Sequence, residues 1–178
     1  MQKELGKYPM AEAVRAAYQV GEDDETLEPR VLVDSKGKPI GRLKHGDYVI
    51  FYNLRGEREV ELCESLLEEG FIHFPVEKNL HLNMVTMDHL MALFKLAKQE
   101  SVENLYHHAM LGRRGERKES GARYLETIEK ELENLHLGRI VSVIGRYWSL
   151  DREENWDRIE KTYRMLIYGE GQKVSIGP

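Results

Sequence analysis

The stretch GRIVSVIGRYWSLDREENWDRIEKTYRMLIYGEG, Gly138–Gly171, decides how the rest of the chain is read. Its opening GRIVSVIG is apolar, β-branched and bounded by glycine, which predicts a buried strand. Its closing ENWDRIEKTYRMLIYG predicts a helix. The loop between them and the first turn of that helix carry Arg146, Arg152 and Arg158, mixed with Asp151, Asp157 and two tryptophans. Arginines gathered between a strand and a helix are suited to hold a phosphate or carboxylate by bidentate hydrogen bonds.

The same alternation extends outward in both directions. Upstream, ARYLETIEKELENLH predicts a helix beginning near Ser120, GRRGERKESG a polar loop and VENLYHHAM a strand. DHLMALFKLAKQE places Leu90, Leu93, Phe94 and Ala97 at helical spacing, and NLHLNMVTM predicts a strand. GEREVELCESLLEE predicts a helix with Val60, Leu62, Leu66 and Leu67 on one side. The run Tyr48 to Leu54 is apolar almost throughout, as expected of a strand covered on both faces. Nearer the start, Pro9 opens a helix ended near Gly21. EDDETLEP is expected to be a solvated surface loop, RVLVD a short strand and GQKVSIGP a tail. Regular alternation of this kind implies a single three-layer α/β/α domain, residues 1–178, with a mostly parallel sheet.

Bulk properties narrow the function classes. The 178 residues are 41% hydrophobic, enough for a core, and the formal charge is −5. That balance argues against a nucleic-acid binder, while a small anion needs only a few local arginines. Cys63 is the only cysteine, so no intrachain disulfide is possible. Its place within a predicted helix reads as a structural thiol rather than a nucleophile. No apolar stretch approaches a membrane span or a signal peptide, and a cytoplasmic protein is expected.

Strand ends test the anion reading. Arg55 and Arg58 follow YVIFYNL, Arg113 and Arg114 follow LYHHAML, and Arg146 and Arg152 follow IVSVIG. Parallel strands would open all three loops at one edge, where such sheets bind ligands. The competing reading pairs these arginines with the 31 acidic residues in surface salt bridges. A metal site from Asp88, His89 and His108 is weighed against packed histidines, and the packed reading is preferred because neighbouring strand residues face opposite sides.

At this point a resemblance emerges. GRYWSLDREENWDRIEKTYRMLIYGEGQKVS resembles a segment of the cofactor-independent (2,3-bisphosphoglycerate-independent) phosphoglycerate mutases. GDYVIFYNLRGERE, YHHAMLGRRGERKESGARYLETIEKEL, DHLMALFKLAKQ and AVRAAYQVGEDDETLEPRVLVDSKGKPIG resemble further segments of the same enzymes. All belong to the family's phosphotransferase, or substrate-binding, domain. The resemblance implies that 2- or 3-phosphoglycerate is held by Arg55, Arg58, Arg114, Arg146 and Arg152, with Arg113 replacing Arg114 if the register slips by one. His108 is a lesser site candidate, and Asp151 is expected to orient a neighbouring arginine.

Three departures accompany the resemblance. The segments stand in circularly permuted order: residues 1–86 match the C-terminal part of the family's domain and 87–178 its N-terminal part. The family's phosphatase-like domain, with its serine nucleophile and two manganese ions, has no counterpart, so no cofactor is expected in this chain. Met84 stands where the resemblance implies a histidine, and Gly115 where it implies an aspartate. The expected function is phosphoglycerate binding related to a glycolytic isomerase, without catalysis by the chain alone. The alternatives are a binding-dead permuted or engineered scaffold, or a subunit that completes a mutase with a phosphatase-like partner. No nucleic-acid or membrane partner is expected.

Overall fold

The computed structural model describes residues 7–51, 60–77, 80–86, 90–112 and 119–175. Twelve elements follow one another: α1 (Pro9–Gln19), β1 (Arg30–Val33), β2 (Tyr48–Phe51), α2 (Val60–Leu67), β3 (Asn83–Thr86), α3 (Leu90–Gln99), β4 (Tyr106–Leu111), α4 (Gly121–Leu135), β5 (Arg139–Gly145), α5 (Arg146–Ser149), α6 (Trp156–Tyr168) and β6 (Gln172–Ser175).

The main sheet has the order β4-β5-β1-β6. β4 runs parallel to β5 and β1 parallel to β6, while β1 runs antiparallel to β5. β2 and β3 form a separate parallel pair, with Tyr48 opposite Asn83 and Phe51 opposite Thr86. The fold is therefore α/β with a mixed but mostly parallel sheet, as expected. Two expectations need correction. The strand at Tyr48 does not join the main sheet: Tyr48 and Ile50 are exposed, so its apolar run is not covered on both faces. The expected tail at GQKVSIGP supplies β6, an edge strand in which Val174 faces inward while Gln172 and Lys173 face water.

Strand alternation divides the core between two faces. On one, Leu32, Ile140, Val143 and Val174 meet Met10 and Val14 of α1, Phe94 of α3, and Leu125 and Leu132 of α4. On the other, Val31 and Ile144 meet Leu62 and Leu66 of α2 and Ile159, Tyr163 and Leu166 of α6. In α2 the buried face is Glu61, Leu62, Ser65 and Leu66, and the expected core positions Val60 and Leu67 are about half exposed. Cys63 is half-buried.

Two helix ends show how the termini are closed. α1 begins with Pro9 and receives no side-chain cap from Tyr8. Instead Glu129 of α4 accepts the Met10 and Ala11 amides at 3.1 and 3.2 Å. α6 ends at Gly169, whose φ of 70° lets the Gly169 and Glu170 amides turn back to Met165 O and Arg164 O. Arg42 reinforces that end, donating to the Met165 carbonyl and, at 3.2 Å, to the Val141 carbonyl. Burial lowers the Arg42 guanidinium to about 10. Among the described residues, no helix is long and apolar enough to cross a membrane.

Candidate functional site

β4 and β5 are parallel, and after a one-residue shift in pairing between His107 and His108, Leu111 lies opposite Gly145 and both strands end at the same edge. The next residues, Gly112 and Arg146, therefore leave side by side. The Arg146 Nη1 donates to the Gly112 carbonyl at 3.2 Å, and its side chain is only 14% exposed. Gly112 is the last described residue before the segment that carries Arg113 and Arg114. One arginine of the expected set is thus pinned beside the start of a second arginine segment.

A strap, residues 20–29, crosses this edge. The Gly145 amide donates to Leu27 O at 2.8 Å, the Tyr147 amide to Glu25 O at 2.9 Å, and the Trp148 indole to Thr26 O at 3.0 Å. The approach is close enough to require glycine. A Cβ at Gly145 would lie 2.3 Å from Glu25 O, and one at Gly112, where φ is 98°, would lie 2.8 Å from Glu25 Cα. Glu25 reaches back over the edge, with Oε1 3.8 Å from Arg146 Nε, and is itself mostly exposed.

The strap corrects the reading of EDDETLEP as a solvated loop. Asp24 and Leu27 are buried. Asp24 accepts the Gly121 amide at 2.9 Å and the Tyr18 hydroxyl, and that hydroxyl accepts the Ala122 amide at 3.0 Å. Asp24 and Tyr18 therefore cap α4, where Ser120 makes no side-chain cap bond. Burial, reinforced by the bond to Asp24, holds the Tyr18 phenol above its usual range. Glu22 accepts both ends of the buried Arg30 guanidinium, and Glu28 accepts Lys161 at 2.9 Å. Sequence reasoning passed over these residues because their partners lie elsewhere in the chain. The one local signal was Leu27, an apolar residue inside an acidic run.

The remaining candidates fall as follows. Arg152 is exposed in the turn between α5 and α6. Arg158 is committed elsewhere: it donates to Asp151 Oδ2 at 2.7 Å and lies 4.0 Å over the Tyr147 ring. Asp151 is buried and also accepts the Glu153 and Asn155 amides at 3.0 Å, so the arginine it orients is Arg158. Burial alone would raise the Asp151 carboxyl, but those amides, the Asn155 side chain and Arg158 hold it below the usual range. His108 sits within the sheet, with Nδ1 2.7 Å from Ser142 Oγ. Burial, then the charges of Arg42 and His107, push it down to about 3. It is a neutral packing histidine three positions before the strand end. Arg55, Arg58, Arg113, Arg114, Gly115, Asp88 and His89 lie outside the described residues. Among the described residues, no group of three or more His, Cys, Asp or Glu could hold a metal.

Comparison with known proteins decides the family. Residues 2–88 and, separately, 85–176 match the family described as BPG-independent PGAM N-terminus. This chain belongs to that family. Its relatives include 2,3-bisphosphoglycerate-independent phosphoglycerate mutases of several bacteria. The protein of Listeria innocua is 39% identical over 109 residues, covering 61% of this chain and 19% of the relative. That of Lachnoclostridium phytofermentans is 36% identical over 155 residues, covering 82% and 28%. That of Syntrophotalea carbinolica is 44% identical over 85 residues, covering 48% and 16%. The chain thus spans less than a third of the length of these mutases. No solved structure matches it at a significant level. The name of these relatives says that they are mutases of phosphoglycerate.

Proposed function

We propose that this chain is a phosphoglycerate-binding domain that holds 2- or 3-phosphoglycerate at the carboxyl edge of β4 and β5. Arg146 and Arg152 provide one wall, and Arg55, Arg58 and Arg114 (or Arg113) complete the site. The observation that carries the reading is the placement of Arg146: a largely buried guanidinium, beside the Gly112 carbonyl, at the ends of two parallel strands. A buried cation whose ion pair with Glu25 is 3.8 Å long and exposed has much to gain from a doubly charged anion. Family membership supports the choice of anion.

The chain is further proposed to follow a circularly permuted order of the family's domain. Two observations support this. The family matches in two blocks that meet near residues 85–88, and α1 packs against β6, so the first and last described elements are neighbours. Such neighbouring ends are where permutation is tolerated. Alone, the chain is proposed to orient phosphoglycerate without transferring the phosphoryl group; in support, no cluster among the described residues could hold the metal ions that would activate an acceptor.

Calorimetry with 3-phosphoglycerate tests the binding. Losing one charge-assisted contact costs about 1.5–3 kcal/mol, so Arg146→Ala should weaken binding roughly ten- to a hundredfold. Arg146→Lys, which keeps the charge without the fork, should fall between the two. Equal affinity in all three proteins refutes the site. Turnover of 3- to 2-phosphoglycerate by the pure chain with manganese refutes the claim that it does not catalyse. A second reading, a scaffold that no longer binds, is favoured by Met84 and Gly115 at positions where the family resemblance implies a histidine and an aspartate. No heat at millimolar ligand would establish it.

A further inference from the structure

We propose that Glu61 of α2 is a positioning residue for Arg152: its carboxylate, buried against the turn 151–155, pins the backbone from which Arg152 projects. The inference rests on the phosphoglycerate-binding reading above. Three consecutive amides of that turn are held by two carboxylates. Asp151 Oδ1 accepts those of Glu153 and Asn155, each at 3.0 Å, and Glu61 Oε1 accepts that of Glu154 at 3.1 Å. Glu154 has a φ of 58°, a conformation that a residue with a side chain keeps only when its surroundings enforce it.

Asp151 belongs to the turn itself, whereas Glu61 reaches it from 93 positions earlier in the chain. Glu61 is only 8% exposed, and its Oε2 has no hydrogen-bond partner among the described residues. Burial, and after it the charge of Asp151, raise its carboxyl above the usual range, while the Glu154 amide opposes them. A leucine here would be buried at no electrostatic cost. The acid is accounted for by the one thing a leucine cannot do, which is to accept the Glu154 amide. α2 begins directly after the segment that carries Arg55 and Arg58. The same carboxylate therefore ties the helix following one arginine pair to the turn carrying Arg152.

The test compares Glu61→Leu, which fills the space without an acceptor, with Glu61→Gln, which keeps the acceptor without the charge. Amide hydrogen exchange at Glu154 and Asn155 reports the turn directly, and exchange at Val143 in the core of β5 controls for folding. Glu61→Leu should speed turn exchange by about tenfold or more and weaken 3-phosphoglycerate by about tenfold, with Val143 unchanged; Glu61→Gln should restore both. Unchanged turn exchange in Glu61→Leu overturns the positioning role. Faster turn exchange with unchanged affinity overturns its link to Arg152. If the wild-type chain takes up no 3-phosphoglycerate, the binding reading is what fails. Exchange alone then decides whether Glu61 pins the turn.

Discussion

Replacing Glu129 with glutamine should flatten one arm of the stability–pH profile. Glu129 stands on α4 and accepts the Met10 and Ala11 amides that open α1. Burial raises its carboxyl from an ordinary 4.5 to about 7; the charge of Glu12 adds to this, and the two amides and Arg15 oppose it. Between those two values the folded chain holds a proton that the unfolded chain has released. The resulting stability is complete below pH 4.5 and is lost as pH rises through about 7. At about 1.4 kcal/mol per pH unit, the loss has an upper bound of roughly 3 kcal/mol. Glutamine has the shape of the neutral acid and keeps an oxygen for one amide, but has no proton to lose. In urea unfolding, the two proteins should agree to about 1 kcal/mol at pH 5, and the variant should be the more stable by roughly 2–3 kcal/mol at pH 8, with unchanged m-values. Comparing the pair cancels every other titrating group. Parallel profiles across that range would refute the reasoning. They would mean that the α1 terminus and Arg15 stabilise the carboxylate as strongly as burial disfavours it.

Two further outcomes follow from the same contacts. Asp24→Ala leaves the Gly121 amide and the Tyr18 hydroxyl without their acceptor and should cost about 2–4 kcal/mol in urea unfolding, whereas Asp24→Asn should cost roughly half as much; equal losses would sink the capping role. His107 and His108 are pushed down by burial from 6.5 to about 4 and about 3. The stability of their neutral forms is present above 6.5 and lost as pH falls, by up to about 2 kcal/mol each at pH 5. Their ring proton resonances should stay flat between pH 5 and 8, and a midpoint near 6.5 for either would refute the burial argument.

The parts of this fold that could be read from sequence are those whose partners are local. GRIVSVIG reads as β5 because five successive inward and outward positions are apolar or small, and the common edge of Arg146 and Gly112 follows once β4 is taken as parallel; the register itself depends on a shift between His107 and His108 that the residues do not announce. β6 could not be read this way. As an edge strand it needs only Val174 facing inward, and its other residues resemble a polar tail. The strand at Tyr48 misled in the opposite direction, because an apolar run does not say which sheet it joins. The strap was hidden for a third reason. Glu22, Asp24 and Glu28 read as solvated acids, yet each has a basic or amide partner that only the folded chain brings near: Arg30, Gly121 and Lys161. Arg158 shows the same effect within the site. Its sequence position groups it with the arginines expected to hold an anion, but Asp151 and the Tyr147 ring already engage it.

The two blocks that match the family are interleaved in the fold. β1, from the first block, lies between β5 and β6 of the second, so the second block alone has a gap in its sheet. The strap that closes the carboxyl edge also comes from the first block, and the glycines that admit it, Gly112 and Gly145, come from the second. α1 and α4 cap each other across the same division: Glu129 holds the start of α1, and Asp24 with Tyr18 holds the start of α4. Each block therefore supplies the polar partners that the other leaves unsatisfied, and an unsatisfied buried amide is costly. Cohesion of this kind depends on which segments meet in space. It does not depend on the order in which the chain visits them, and the edge that presents Arg146 is maintained by contacts that a reordering of connections leaves in place.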